Sequence, residues 1–209
     1  MGEGNDESIT VSHDEVEYNV GVTQGWFSYY DEEAMKDPMV VDVGLRKASA
    51  NMTNDLTEKV IAELGKTELE VPSFGWDFNG VVDAIALLNT EDEAGLFMLI
   101  NPAEKAEFRK NLKDDLKYSE GFVRKGYIGT VAGVPVIVSK AVPEGEAYIA
   151  TKEAVTCFVK KGVEVEQKRE PNTRKNDVYI RKVMLIALTD GTKAVKLTAA
   201  TGETEETGE

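Results

Sequence analysis

Few side chains in this sequence have the types and spacings that do chemistry. There is one cysteine, Cys157, and one histidine, His13. A lone cysteine excludes an intrachain disulfide and a multi-cysteine zinc or iron–sulfur site. A lone histidine excludes a His-paired metal or catalytic cluster within one chain. Cys157 lies between Thr156 and Phe158 in a strand-like run, which predicts a small buried thiol rather than a nucleophile. His13 reads as a loop residue. Asp114-Asp115 and Glu91-Asp92-Glu93 have the residue types for acid–base work, but adjacent acids in polar linkers are expected to be solvated faces. Gly191-Thr192-Lys193 lacks the upstream glycine of a phosphate cradle. Gly126, Gly129 and Gly133, at steps of three and four, read as turn glycines rather than a dinucleotide fingerprint. The sequence predicts no enzyme, no cofactor and no metal.

Charge is the more informative chemistry. The 209 residues carry 38 acids and 24 bases, a net −14. Residues 1–45 hold eleven acids against Lys36 alone, and residues 201–209 add four more acids. The stretch 46–198 is neutral, with 23 of each sign. An acidic entry segment is poorly suited to gripping phosphate backbones, so no specific nucleic-acid binding is expected. Lys160, Lys161, Lys168, Arg169, Arg174, Lys175, Arg181 and Lys182 form the one basic concentration, interrupted by Glu164, Glu166, Glu170 and Asp177. It reads either as a solvated ribbon or as the complement of an acidic surface, and the N-terminal segment is the available complement. The start, MGEGNDES, lacks the pattern of a secretory signal, and about 18 consecutive apolar residues occur nowhere. A soluble, intracellular protein without a membrane partner is expected.

These groups must be positioned by a fold, and hydrophobic periodicity outlines it. Residues 1–8 and the acidic tail 201–209 are expected to be disordered. Ile9 and Val11, then Val16, Tyr18, Val20 and Val22, alternate as strands do, with a turn at His13-Asp14. Asp31 to Ala34 reads as a helical turn after the aromatic cluster Trp26, Phe27, Tyr29 and Tyr30. Asp37-Pro38 is a helix start, with an acid at the N-cap and proline at the first helical position. Val41, Leu45, Ala48, Met52, Leu56, Val60 and Leu64 follow as one narrow apolar stripe, stopped by Gly65. Such a helix is roughly 40 Å long and, with one edge to bury, is a strut across something broad such as a sheet.

Asp77 is placed to cap a second helix through Val81, Val82, Ile85 and Leu88. The apolar run Gly95 to Ile100 reads as a buried central strand. Asn101-Pro102, with Glu104 three residues after the cap, begins a third helix as a capping-box variant. Beyond a polar stretch at 113–121 the pattern is β: 127–131, 134–138, 147–150, 155–159, 163–168, 178–188 and 194–198, with a charged loop from Glu170 to Asp177. The class is α+β. A charged entry arm, a long strut and a hairpin with a charged tip each present more surface than a monomer of this size needs, which points to assembly.

The runs Gly129 to Ser139 (GTVAGVPVIVS), Ala150 to Val155 (ATKEAV) and Arg174 to Val195 resemble the C-terminal half of tailed-bacteriophage major capsid proteins of the Hong Kong 97 type. Leu96 to Phe108 resembles that family's strand, Asn-Pro cap and helix, and the helix from Pro38 its spine helix. The resemblance spans roughly residues 9–198 and is strongest from 95 onward. It implies a phage capsid fold with an extended loop, a peripheral domain and an axial domain. Mapped onto this chain, residues 1–25 are an acidic segment and part of the extended loop, with 9–25 its returning strand. The peripheral domain takes 26–75 and 155–185, the axial domain 76–154 and 186–200, and 201–209 is the tail.

By the same resemblance the chain is a phage or prophage major capsid subunit, self-assembling through pentamers and hexamers into an icosahedral shell around the genome in the host cytoplasm. Scaffold and portal proteins are further partners. The alternatives are an encapsulin-like shell holding cargo and a small α+β binding protein. Inter-subunit contact candidates are Glu15, Glu17, Trp26, Lys168, Arg169, Arg174, Lys175 and Arg181. Family chains usually carry an arm and an outgoing strand before the point where this one begins, which implies a shortened or processed version. Some members crosslink a loop lysine to a neighbour's asparagine; with no lysine before Lys36, no such crosslink is expected.

Overall fold

The computed structural model describes residues 17–90, 93, 95–112 and 129–199. The expected strand at Ile9–Val11, the His13-Asp14 turn, Glu91-Asp92, Asp114-Asp115, Gly126 and the start of the strand at 127 lie outside the described residues. In chain order the elements are β1 (Gly21–Tyr30), α1 (Asp31–Lys36), α2 (Met39–Leu64), β2 (Glu70–Phe74), α3 (Phe78–Leu88), β3 (Leu96–Ile100) and α4 (Pro102–Asn111). After these come β4 (Thr130–Val131), β5 (Val134–Val138), β6 (Glu146–Thr151), β7 (Val155–Glu170), β8 (Lys175–Leu188), a 3₁₀ turn (Gly191–Lys193) and β9 (Ala194–Ala199). They make two sheets. One is antiparallel in the order β1-β8-β7; the other is mixed, in the order β2-β9-β6-β3-β5-β4. The class is α+β, as the sequence predicts.

The six-stranded sheet is the body. β3 lies inside it, antiparallel to β6 and parallel to β5, and its run LFMLI is apolar throughout because both faces are covered. Leu96, Met98, Ile100, Ile149, Val195 and Leu197 pack under Val81 and Ala84 of α3 and Phe108 of α4. On the opposite face Leu99, Tyr148, Ala150 and Ala194 meet Ile61 and Leu64 of α2. Both expected caps form: Asp77 Oδ1 accepts from Gly80 N (2.8 Å) and Asn101 Oδ1 from Ala103 N (3.0 Å). Asn101 Nδ2 also donates to the Val142 carbonyl (2.7 Å). Glu104 does not close a capping box. Its Oε1 instead accepts from Gly145 N (2.8 Å), tying α4 to the loop before β6. Ala132 and Gly133 turn β4 into β5 with φ of 49° and 82°, the sign a tight hairpin requires.

The three-stranded sheet is a limb, and α2 joins it to the body. At 26 residues and 1.5 Å per residue the helix is about 39 Å long. It begins at Met39, one residue later than expected: Pro38 precedes it, and Asp37 Oδ1 accepts from Met39 N (2.9 Å). Ala48 and Met52 pack with Phe27 and Ile180 on the limb, while Ile61 and Leu64 pack on the body. Two glycines set the close approach of α2 to β1. A Cβ on Gly25 would lie 2.9 Å from the Ala48 carbonyl oxygen, and one on Gly44 would lie 2.3 Å from Cδ2 of Phe27. The expected stripe is buried only in part. Leu45 is 42% exposed, and Ile61 is buried where Val60 is only half-buried.

Other limb expectations change as well. The aromatic cluster is part of β1, which begins at Gly21, so residues 17–20 precede the strand. The two expected strands at 155–159 and 163–168 are one strand, β7, with register shifts between Val159 and Lys161 and between Lys161 and Glu164. The charged loop shrinks to Pro171–Arg174, because Glu170 already pairs with Lys175. Cys157 is exposed, not buried. β7 is an edge strand, and α2 lies over β1, so the helix gives little cover to the outer strand.

Candidate functional site

Cross-strand pairing sorts the limb's side chains onto two faces. Directly opposed residues share a face, and Gln24, Trp26, Ser28 and Tyr30 oppose Arg181, Tyr179, Asp177 and Lys175. On β7, Glu164, Glu166, Lys168 and Glu170 oppose the same four β8 residues. This outer face points away from α2. The other face carries Thr23, Gly25, Phe27, Asn176, Val178 and Ile180 and takes the helix. Thr23, 1% exposed, receives a hydrogen bond from Lys59 Nζ (2.8 Å), whose other partner is Asp55 (2.7 Å).

The outer face bears exposed aromatic surface. Trp26 is 60% exposed and stacks on Tyr179 with ring centroids 6.4 Å apart. Val22 and Tyr30 extend the row at 54% and 44% exposure. Beside the stacked pair is a recess of about 330 Å³ lined by Gln24, Gly25, Trp26, Glu166, Tyr179, Ile180 and Arg181. Solvent-facing aromatics in a contiguous row mark a contact surface more often than a bare one.

The basic candidates divide into engaged and free. Arg181 Nε meets Glu164 (2.7 Å) and its Nη2 meets Glu166 (3.4 Å). Lys161 also meets Glu164 (2.5 Å). Hydrogen bonds from Lys161 and then Arg181 hold the Glu164 carboxyl below its usual value. Lys175 pairs with Asp177 (2.9 Å), which raises the Lys175 ammonium. Arg169 lies on the α2 side and pairs with Asp31 (2.6 Å). Lys168 and Arg174 make no ion pair among the described residues. Glu17 is exposed before β1, and Glu15 lies outside the described residues. Trp26, Lys168, Lys175 and Arg181 thus share the outer face, whereas Arg169 does not. Tyr179, Tyr30 and Val22 are not among the contact candidates read from the sequence. Period two in β8, with Val178 and Ile180 inward, is the signal that turns Tyr179 outward. Among the described residues no group of three or more His, Cys, Asp or Glu could hold a metal ion, and no helix is long and apolar enough to cross a membrane.

The outer face offers aromatic and charged side chains for contact. A family model described as phage capsid protein matches residues 14–197. The chain belongs to the phage capsid protein family. This is a family of structural proteins, not enzymes, and its members form part of the virion. The major capsid protein of Staphylococcus phage phiMR11 is 27% identical over 156 residues, 73% of this chain and 57% of that relative. The chain therefore spans little more than half the length of that relative. The fold is shared with the structure of Mycobacterium phage Che8 at a TM-score of 0.71 and 14% identity, covering 90% of this chain and 76% of that one. It is shared also with the holo-SrpI encapsulin complex from Synechococcus elongatus PCC 7942, at a TM-score of 0.68 and 14% identity, covering 88% of this chain and 75% of that chain. The body, α2 and the limb together are a Hong Kong 97-like capsid fold.

Proposed function

We propose that this chain is a major capsid subunit that assembles with copies of itself, through pentamers and hexamers, into an icosahedral shell enclosing a phage genome in the host cytoplasm. The observation that carries the reading is the capsid family match across 14–197, joined to a limb whose aromatic outer face has no second layer among the described residues. In this reading residues 26–75 and 155–185, which take in most of β1, all of α2, β2 and most of the β7–β8 pair, are the peripheral domain, and residues 76–154 and 186–200, the rest of the six-stranded body, are the axial domain. Residues 1–25 belong to the extended loop, and scaffold and portal proteins are further partners. Trp26, Lys168, Lys175 and Arg181 contact a neighbour on the outer face, and Arg169 and Arg174 contact it near the tip. The acidic stretch with Glu15 and Glu17 lies against the basic ribbon of the next subunit, where Lys168 and Arg174 are free of ion pairs among the described residues.

Light scattering and negative-stain microscopy of the full chain test assembly: rings of five or six or closed shells are expected, and a strict monomer at high concentration overturns the reading. Assembly that is indifferent to ionic strength and to charge reversal at Glu15 and Glu17 removes the arm-to-ribbon contact alone. The likeness to an encapsulin supports a second reading, a cargo-holding shell. Purified particles that contain protein cargo and no nucleic acid would favour it.

A further inference from the structure

A polar network at the distal end of the limb converges on one carboxylate. Asp31, the first residue of α1, accepts at Oδ1 from Asn176 Nδ2 (2.6 Å) and at Oδ2 from Arg169 Nη2 (2.6 Å). Its backbone N–H donates to the Arg174 carbonyl (3.1 Å). Asn176 is 3% exposed. Its Oδ1 accepts from Gln167 Nε2 (3.1 Å), which also reaches the Tyr29 hydroxyl (3.2 Å). One residue thereby joins β7, β8 and their turn to the end of β1.

Apolar packing does not share this task. α1 has no buried residue, and from 167 to 177 Asn176 is the one buried side chain. A buried amide that loses its acceptor costs more than an exposed hydrogen bond contributes, so Asn176 makes the tip depend on Asp31.

We propose that α1 is a latch: the Asp31 carboxylate clamps the last rungs of β7 and β8 against β1, and releasing it frees the tip while the limb base and the body stay folded. The proposal concerns the single chain and stands whether or not copies assemble. The charged and titratable groups on the surrounding elements are Arg169 on β7, Arg174 in the turn, Lys175 on β8, Tyr29 and Tyr30 on β1, and Glu33 on α1, which accepts from Tyr30 N (3.2 Å). Hydrogen bonds from Asn176 first and Arg169 second hold the Asp31 carboxyl below its usual value. The network binds the ionised form. The clamp is complete above the unfolded aspartate pKa of about 3.9, and it is lost as pH falls through the lower folded-state value.

Peptide-resolved hydrogen exchange on the full chain tests this, with Asp31→Ala at pH 6 and the unmutated protein from pH 6 to 3, corrected for intrinsic exchange. In the variant, amides of 167–178 are expected to lose protection by about tenfold or more, while those of Leu96–Ile100 and Glu146–Thr151 change less than about twofold. The unmutated protein should begin to lose the same local protection as pH falls below about 4, and the variant should show no such pH-dependent loss. Protection of 167–178 that stays within about twofold in the variant overturns the latch. So does a uniform loss across both sheets, which would make Asp31 a support of the whole fold.

Discussion

The body and the limb use similar β-branched and aromatic residues toward different ends. In the body each apolar side chain of β3 meets a second layer, α3 and α4 on one face and α2 on the other. In the limb α2 covers one face, and the residues that alternate outward, Val22, Trp26, Tyr30 and Tyr179, face solvent. Apolar character alone therefore does not mark core; the second layer decides. By the usual relation between buried apolar area and stability, the body should carry most of the folding free energy and the limb most of the contact chemistry.

The sharpest test pairs one substitution in each region, measured by urea unfolding of dilute, unassembled chain. Ile149, fully buried in the body, should cost about 2–5 kcal/mol as Ile149→Ala. Trp26→Ala removes a larger side chain, yet should shift stability by less than about 0.5 kcal/mol while impairing assembly. Equal costs would break the comparison. Where α2 meets the limb, the Phe27 ring occupies the space a Gly44 Cβ would need. Gly44→Ala should then destabilise by about 1–3 kcal/mol through overpacking, and Phe27→Leu should recover part of it; a neutral Gly44→Ala would mean that the helix sits loosely on β1.

A smaller effect is expected at the α4 cap. Asn101→Ala should cost about 1 kcal/mol, with faster exchange in the loop at 139–145 that its side chain holds through Val142. The smallest effect concerns pH. Burial pushes the Glu146 carboxyl up, but hydrogen bonds from Lys196 and Tyr148 outweigh it and its net displacement is downward. Its contribution is then present above the unfolded glutamate pKa and disappears as pH falls through the folded value. Lys196→Met should flatten the acid side of the stability–pH curve by about 1 kcal/mol or less. An unchanged curve would show that the pair at 2.8 Å contributes nothing.

What was legible in the sequence follows the same division. Asp37-Pro38, Asp77 and Asn101-Pro102 announce three helices because caps act locally, and the run at 95–100 announces β3 because strands buried on both faces are apolar throughout. The limb was harder to read. Val155–Val159 and Val163–Lys168 look like two strands since the bulged residues between them break the alternation. Cys157 looks buried since it sits in a strand-like run between Thr156 and Phe158, yet edge position, a tertiary property, leaves it exposed. Glu104 has capping-box spacing but bonds a loop 41 residues away, and no local pattern encodes that partner. Trp26 belongs to an aromatic cluster visible in the sequence, whereas its stacking on Tyr179 and the pairing of Arg169 with Asp31 require register.

The edge of β7, unpaired among the described residues, has a colloidal consequence. A long strand edge of this kind is a template for indiscriminate stacking. Lys160, Lys161, Glu164, Glu166, Lys168 and Arg169, together with two shifts of register, make that template charged and irregular. Charge and irregularity of this kind disfavour edge-to-edge stacking.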